Sequence, residues 1–409
     1  MRTRHSPMDG PFSKDGRNGS ATVEPGSSLG VENLLTPPHS LLSRTAQPSR
    51  PQLKIVILGP PLTYSTGNGV SATYRGLVRE LSARGHDVLF LERASEKPGI
   101  LRDIRKPETS RLEEYSSLKE LKARHAASVR EADFVLVGSP VPEAVEIGDW
   151  VTCSAQGVTA FYDLDTPGTM ANLEQGGAAC ISSELIPRYS MYLSFTGGRF
   201  LEHLEEEYGS PMAWPLYPSV DARLFYPEQS QVNWDLGYLG GYSDDRQPAL
   251  ERIFLEPARR WSEGRFIVAG SKYPRSVHWP KNVKRIPLVP PARRRAFYNS
   301  LRFALNLTSS EATTMGCSPS ARLFEAAACG IPVISEFWPG LETFFTPDEE
   351  ILISHSADET MIYLEDISEL DRRRLGYRAR ERVLARHTSR HRAAELESRI
   401  LEVLKHSPV

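Results

Sequence analysis

Short, continuously apolar runs alternate with helix-period segments along this chain, and the alternation occurs twice. Residues 54–58 (KIVIL) form the first run, and a loop follows at 60–68. Val70, Tyr74, Leu77, Val78 and Leu81 then recur at helical spacing over 70–83. Gly85 is placed to end that helix, and a second apolar run occupies 87–91. Further runs at 133–137, 158–162, 178–181 and 191–195 extend the pattern. A run apolar at every position suits a strand covered on both faces, so the pattern predicts a parallel sheet wound on each side by helices.

Residues 216–227 (LYPSVDARLFYP) hold prolines near both ends and read as a fixed connector. Beyond it the pattern repeats. Strands are expected at 236–239, 266–269, 283–286, 303–307, 332–335 and 351–353. Helices are expected at 248–261, 292–300, 358–365, 369–386 and 390–405. The expected fold class is therefore α/β, with two Rossmann-like doubly wound domains at 53–215 and 216–386 and a C-terminal helix in 387–409. Residues 1–52 are rich in Pro, Ser, Gly, Arg and Thr without sustained periodicity, and are expected to form a disordered tail.

The 409 residues suffice for two domains and a tail, and a net charge of -2 gives no basic field for nucleic acid, so no nucleic-acid partner is expected. No apolar run reaches bilayer length, and Arg2 and Arg4 precede no apolar core, so neither a membrane span nor a secretory signal is expected. Cys153, Cys180, Cys317 and Cys329 form no C-x-x-C pair. They read as reduced, mostly buried thiols of a cytoplasmic protein.

Residues 318–335 read SPSARLFEAAACGIPVIS. Ser318 and Ser320 are N-cap candidates, and Pro319 suits a first turn because it has no N–H to lose. Leu323, Phe324, Ala326, Ala327 and Ala328 make an apolar helix, Gly330 can stop it in a left-handed cap, and 331–334 read as a buried strand. Glu325 is the misfit. A buried carboxylate needs hydrogen-bond donors, which a hydroxyl-bearing ligand can supply. The helix start near Ser318 and Ser320 offers unpaired amides and a positive dipole end to phosphate, and Arg322 can add a charged fork.

The segment Glu325-Ala326-Ala327-Ala328-Cys329-Gly330-Ile331-Pro332-Val333 resembles the donor-binding motif of group 1 glycosyltransferases, which have the two-domain GT-B fold. Residues 340–345 (GLETFF) and 350–353 (EILI) look more narrowly like the spore-maturation CgeB-like branch. The resemblance is closest over 233–358, extends from about 54 to the C-terminus, and omits the first fifty residues. It implies two domains facing a central cleft, joined through 219–221, with the last helix crossing back to the first domain. It also implies that Glu325 reaches the ribose hydroxyls of a sugar nucleotide, and that Gly240, Gly241 and Arg246 face its diphosphate. The implied activity is hexosyl transfer from a nucleotide-diphosphate sugar, as co-substrate, to an acceptor: a glycan, a lipid-linked glycan, a protein or a small molecule. No other cofactor and no metal are expected.

One departure motivates a second reading. Many group 1 enzymes carry another glutamate eight positions before the one matching Glu325; here that position is Cys317, and Glu311 lies further upstream. A non-catalytic sugar-nucleotide binder or assembly protein on the same fold is therefore the alternative. An epimerase or phosphorylase would need a cofactor lysine pattern that the sequence does not suggest.

Other candidates belong to the first domain. Gly67, Asn68 and Gly69 follow its first strand and either line the cleft or form a plain turn; neither G-x-G-x-x-G nor a P-loop is present. Gly197 and Gly198 end another strand and face either the crevice or a helix start. Asp163 and Asp165, in Tyr162-Asp163-Leu164-Asp165-Thr166-Pro167, are candidates for the base that deprotonates an acceptor hydroxyl. Their D-x-D spacing suits a cation, but Asp165 also precedes the helix start at Thr166-Pro167. The arginines between Arg372 and Arg392 form a basic run that either meets anionic lipid heads peripherally or is a solvated face with acidic partners. His387 and His391 have zinc-compatible spacing but no third ligand nearby.

Overall fold

The computed structural model describes residues 51–63, 70–94, 110–308 and 317–406. Gly67, Asn68, Gly69, Glu311 and the first fifty residues lie outside them. Two all-parallel sheets organise the rest. The first contains β1 (Lys54–Gly59), β2 (Asp87–Arg93), β3 (Arg111–Tyr115), β4 (Phe134–Gly138), β5 (Val158–Asp163), β6 (Met191–Ser194) and β7 (Ala213–Pro215), in the order β3-β2-β1-β4-β5-β6-β7. The second contains β8 (Trp234–Leu239), β9 (Phe266–Ala269), β10 (Val283–Ile286), β11 (Leu301–Asn306), β12 (Val333–Ser335) and β13 (Leu352–Ile353), in the order β10-β9-β8-β11-β12-β13.

Both sheets share one winding. Each starts in the middle, runs to one edge, then returns to build the other half. Strand order reverses between β1 and β4 and again between β8 and β11. Such switch points open a crevice beyond the carboxyl ends of the strands. The central strands earn their positions by composition: β4, FVLVG, is buried at every residue. Helix Val70–Ala83 turns Tyr74, Leu77, Val78 and Leu81 onto the first sheet. Each such side chain contributes roughly 1.5–3 kcal/mol by leaving water.

The expected strand at 178–181 is absent: Ile181 is an anchored loop residue in the core, and β6 takes the place beside β5. Two edge strands were not anticipated. β3 reads RLEEY, and its charges keep an exposed edge from pairing further. β7 reads AWP, too short for periodicity, with proline tolerated at an edge. The helix expected at 248–261 is interrupted by a π turn, Glu251–Leu255, between Gln247–Leu250 and Glu256–Arg260. The turn precedes Pro257, whose missing N–H breaks a regular α ladder.

The chain passes between the domains twice, and the two passages bond to each other. Val220 donates its N–H to the His387 carbonyl at 3.0 Å, and Ser389 donates to the Val220 carbonyl at 3.0 Å. Helix Glu369–Arg386 stays on the second domain, where Gly376 lets it approach closely: a Cβ there would lie 2.0 Å from the Gly330 carbonyl oxygen. Helix Ser389–His406 lies on the first domain. Its Ala393, Leu396 and Ile400 share a core with Tyr74 and Leu77, and Arg399 stacks 3.4 Å from the Trp214 ring centroid.

The basic run is largely matched by acids: Arg373 pairs with Glu369, Arg374 with Asp371, Arg378 with Glu349 and Arg382 with Glu350. Among the described residues no helix is long and apolar enough to cross a membrane, and no group of three metal-binding side chains occurs. His387 is buried with its ring stacked on Phe324. The thiols are all free, but only Cys329 is fully buried. Cys153 is exposed, on helix Ala144–Ser154.

Candidate functional site

A cavity of about 530 Å³ lies between the domains, at the carboxyl ends of both sheets. The second domain lines it with the turns after β8, β9, β10 and β11 and with the start of helix Ala321–Ala328. The first domain adds Val70, Thr73, Leu164 and Phe195. Gly240, Gly241, Arg246, Ser318, Ser320, Arg322 and Glu325, seven residues read from two separate motifs, all border this one cavity.

Ser320 is the N-cap of the helix: its Oγ accepts from the Arg322 amide at 3.3 Å. Pro319 therefore sits before the cap rather than in the first turn. At the other end Gly330, at φ +71°, donates to the Ala327 carbonyl at 2.8 Å, and Ile331 donates to Ala326 at 3.1 Å. This pair is the six-to-one, five-to-two closure that a left-handed glycine permits. Between the ends Leu323, Phe324, Ala326, Ala327 and Ala328 are buried, which fixes the one polar residue among them at the cavity.

That residue, Glu325, is 3% exposed. Its carboxylate accepts from Arg294 Nη1 at 3.2 Å and from Tyr298 Oη at 3.0 Å. The protein itself thus supplies the first donors, where the sequence had suggested a ligand as their source. Burial pushes the Tyr298 phenol well above its usual pKa and Glu325 adds to this, so the hydroxyl stays a donor. Arg294 was missed, because nothing in Arg293-Arg294-Arg295 marks the middle residue as the inward one.

Arg322 does not pair with Glu325. Its Nε donates to Ser320 Oγ at 3.0 Å and its Nη1 to the Leu239 carbonyl at 2.8 Å, which ties the helix start to the end of β8. Arg246 is different. It borders the cavity, and its Nε is buried with no hydrogen-bond partner among the described residues. A buried guanidinium N–H left unsatisfied is costly, and an anionic ligand removes that cost.

The glycines serve the protein's own packing as much as any ligand. A Cβ on Gly240 would lie 2.3 Å from Tyr238 Oη, and one on Gly270 would lie 1.9 Å from the Gly240 carbonyl oxygen. Gly241 is looser, 3.2 Å from the Ser271 carbonyl. Gly270 and Ser271, also on the cavity, follow β9 with no local signal that marks them as lining residues.

The first-domain aspartates require correction. Asp163 is fully buried. Its Oδ1 accepts from Ser139 Oγ and the Asp165 amide, both at 3.1 Å, and its Oδ2 accepts from Tyr192 Oη at 2.6 Å. Burial raises its pKa. It holds the turn after β5 and does not reach the cavity. Asp165 is exposed and also off the cavity wall. The strand ends at Asp163, so the two carboxylates no longer share a direction; Leu164, between them, is the residue that borders the cavity. Gly197 and Gly198 do not line it either. Gly197 donates to the Cys317 carbonyl at 2.8 Å, Thr196 Oγ1 donates to Ser318 Oγ at 3.2 Å, and Gly198 starts helix Arg199–Glu206 at φ +74°.

Residues 246–398, the greater part of the second domain and the first turns of helix Ser389–His406, match a family described as glycosyl transferase-like. Solved structures align with nearly the whole described chain. An alpha-glucosyltransferase in complex with UDP-glucose and DNA containing an abasic site aligns at TM-score 0.67 and 13% identity, over 86% of this chain and 100% of that one. Anabaena Alr3699/HepE in complex with UDP and glucose aligns at 0.59 and 12%, over 87% and 100%. Sucrose-phosphate synthase from Thermosynechococcus elongatus aligns at 0.57 and 15%, over 86% and 100%. The chain has the GT-B fold of glycosyltransferases. No curated protein sequence matches it. In this GT-B chain the cavity occupies the cleft between the two Rossmann-like domains, and among the described residues its charged lining groups all come from the second of them.

Proposed function

We propose that the protein transfers a hexosyl group from a nucleotide-diphosphate sugar to an acceptor hydroxyl without a metal ion. One observation carries this reading: Arg246, whose buried Nε has no hydrogen-bond partner among the described residues, shares a cavity with an N-capped helix start and with Glu325. In the reaction the bond from the anomeric carbon to the diphosphate oxygen breaks, the acceptor oxygen bonds to that carbon, and the acceptor proton is released. Negative charge grows on the departing diphosphate. Arg246 and the positive end of helix Ala321–Ala328 oppose it in place of a cation. Glu325, oriented by Arg294 and Tyr298, keeps acceptor capacity for the ribose hydroxyls, since each carboxylate oxygen accepts more than one bond. The UDP and UDP-glucose named for the structural neighbours support a sugar nucleotide as donor. Residues 340–345 and 350–353 support the CgeB-like branch, and four free thiols support a cytoplasmic setting.

A second reading, a sugar-nucleotide binder without turnover, draws on one observation. Among the described residues no carboxylate or imidazole of the first domain borders the cavity, and Cys317 stands where related enzymes carry an acid. Isothermal titration with UDP, dTDP and GDP tests the common part. Absence of binding to all three contradicts both readings. A product screen with sugar nucleotides then separates them, since binding without transfer or donor hydrolysis favours the second.

A further inference from the structure

We propose that the acceptor is an uncharged molecule that presents its hydroxyl on an apolar or aromatic body; this rests on the transferase reading above. The cavity is divided by charge. Arg246, Arg294, Arg322 and Glu325 all come from the second domain. The first domain contributes, among the described residues, Val70, Leu164 and Phe195 with one hydroxyl side chain, Thr73. Leu288, 57% exposed, adds a large apolar side chain from the second domain.

The apolar wall is fixed beside the diphosphate end of the donor site. Phe195 precedes Thr196, which bonds to Ser318 next to the helix cap. The Phe195 ring meets Tyr162 edge-on, with centroids 5.4 Å apart, and Tyr162 is held by its hydroxyl donating to the Leu216 carbonyl at 2.9 Å. A phosphorylated or carboxylated acceptor against this wall would lose hydration and, among the described residues of the first domain, gain no cation. An apolar body gains from the same surface, and a ring held in advance loses little freedom on binding.

The test uses the full chain loaded with whichever of UDP, dTDP and GDP binds tightest. 2-Naphthol, a neutral fluorescent phenol, is titrated into it, with glucose 6-phosphate and maltose as competitors. Saturable naphthol binding is expected, displaced by neither sugar and weakened about tenfold by Phe195→Ala. Phe195→Leu, which keeps apolar volume, is expected to retain most of the affinity, and the nucleotide isotherm of each variant reports that the donor half is folded. Displacement by glucose 6-phosphate or maltose, absence of naphthol binding to the loaded protein, or equal affinity in Phe195→Ala overturns the proposal. Failure of every nucleotide to bind instead overturns the transferase reading, and this proposal with it.

Discussion

The amide of Gly197 donates to the carbonyl of Cys317 at 2.8 Å, joining the two domains beside the cavity. Thr196 Oγ1 to Ser318 Oγ, 3.2 Å, is the neighbouring bond. The clasp lies between an apolar strand end and the helix start proposed to hold a diphosphate, so it couples the two halves of the site. The glycine answers to a third residue: a Cβ at 197 would lie 2.1 Å from Tyr217 Oη. Gly197→Ala is expected to cost about 1–3 kcal/mol through overpacking, and Thr196→Val about 1 kcal/mol through one lost hydrogen bond. Urea unfolding measures both; wild-type stability in Gly197→Ala would show that Tyr217 swings aside at no cost, and wild-type stability in Thr196→Val that the Ser318 bond contributes nothing.

Arg246→Gln is expected to weaken nucleoside-diphosphate affinity by one to two orders of magnitude, since a charge-assisted bond contributes roughly 1.5–3 kcal/mol. It should leave the melting temperature nearly unchanged, because Nε has no protein partner among the described residues to lose. Titration calorimetry and thermal unfolding on the same preparation check the two halves. A large stability loss with unchanged affinity would make Arg246 structural.

Glu325 is expected to show both effects. Glu325→Ala leaves the buried Arg294 without its carboxylate, and breaking a buried pair costs about 3–5 kcal/mol. Glu325→Gln keeps the shape and an acceptor oxygen for Tyr298, and should cost less while still weakening sugar-nucleotide binding. Denaturation midpoints separate the two variants. Equal stability in wild type and Glu325→Ala would mean that the Arg294 contact contributes nothing.

Much of this architecture was legible because it rests on local signals. Helix Val70–Ala83 and strands β9 and β10 fall where periodicity places them, since apolar spacing is set by the core each element covers. The helix around Glu325 was readable from Ser320 and Gly330, whose capping chemistry acts over three or four residues. What escaped was tertiary. Nothing near Arg294 marks it as the partner of Glu325, thirty-one positions away. Asp163 and Asp165 share a direction only on a continuing strand, and where β5 stops depends on its neighbours. Likewise, the use of Gly197 to meet Cys317 is a property of domain apposition, invisible to a window of a few residues.

His387 gives a pH signature. Burial, with Arg392 as the next cause, lowers its pKa to about 3, and Arg392 Nη2 lies 2.9 Å from Nδ1. The unfolded chain has an ordinary imidazole near pKa 6.5. Unfolding therefore takes up a proton below that value. The stability this residue provides is present above about pH 6.5 and is lost as pH falls towards about 3, to the extent of a few kcal/mol. His387→Phe, which keeps the stack on Phe324, should flatten the acid limb of a stability–pH profile. An unchanged slope between pH 6.5 and 4 would assign that limb to other groups.

A crystal structure of the full chain soaked with UDP, dTDP or GDP shows directly where the nucleotide sits. A diphosphate is expected in the interdomain cavity, within hydrogen-bond distance of Arg246 and the start of helix Ala321–Ala328, with the ribose turned to Glu325. A nucleotide bound elsewhere, or one in the cavity with Arg246 turned away and Glu325 still engaged only by Arg294 and Tyr298, would contradict that placement.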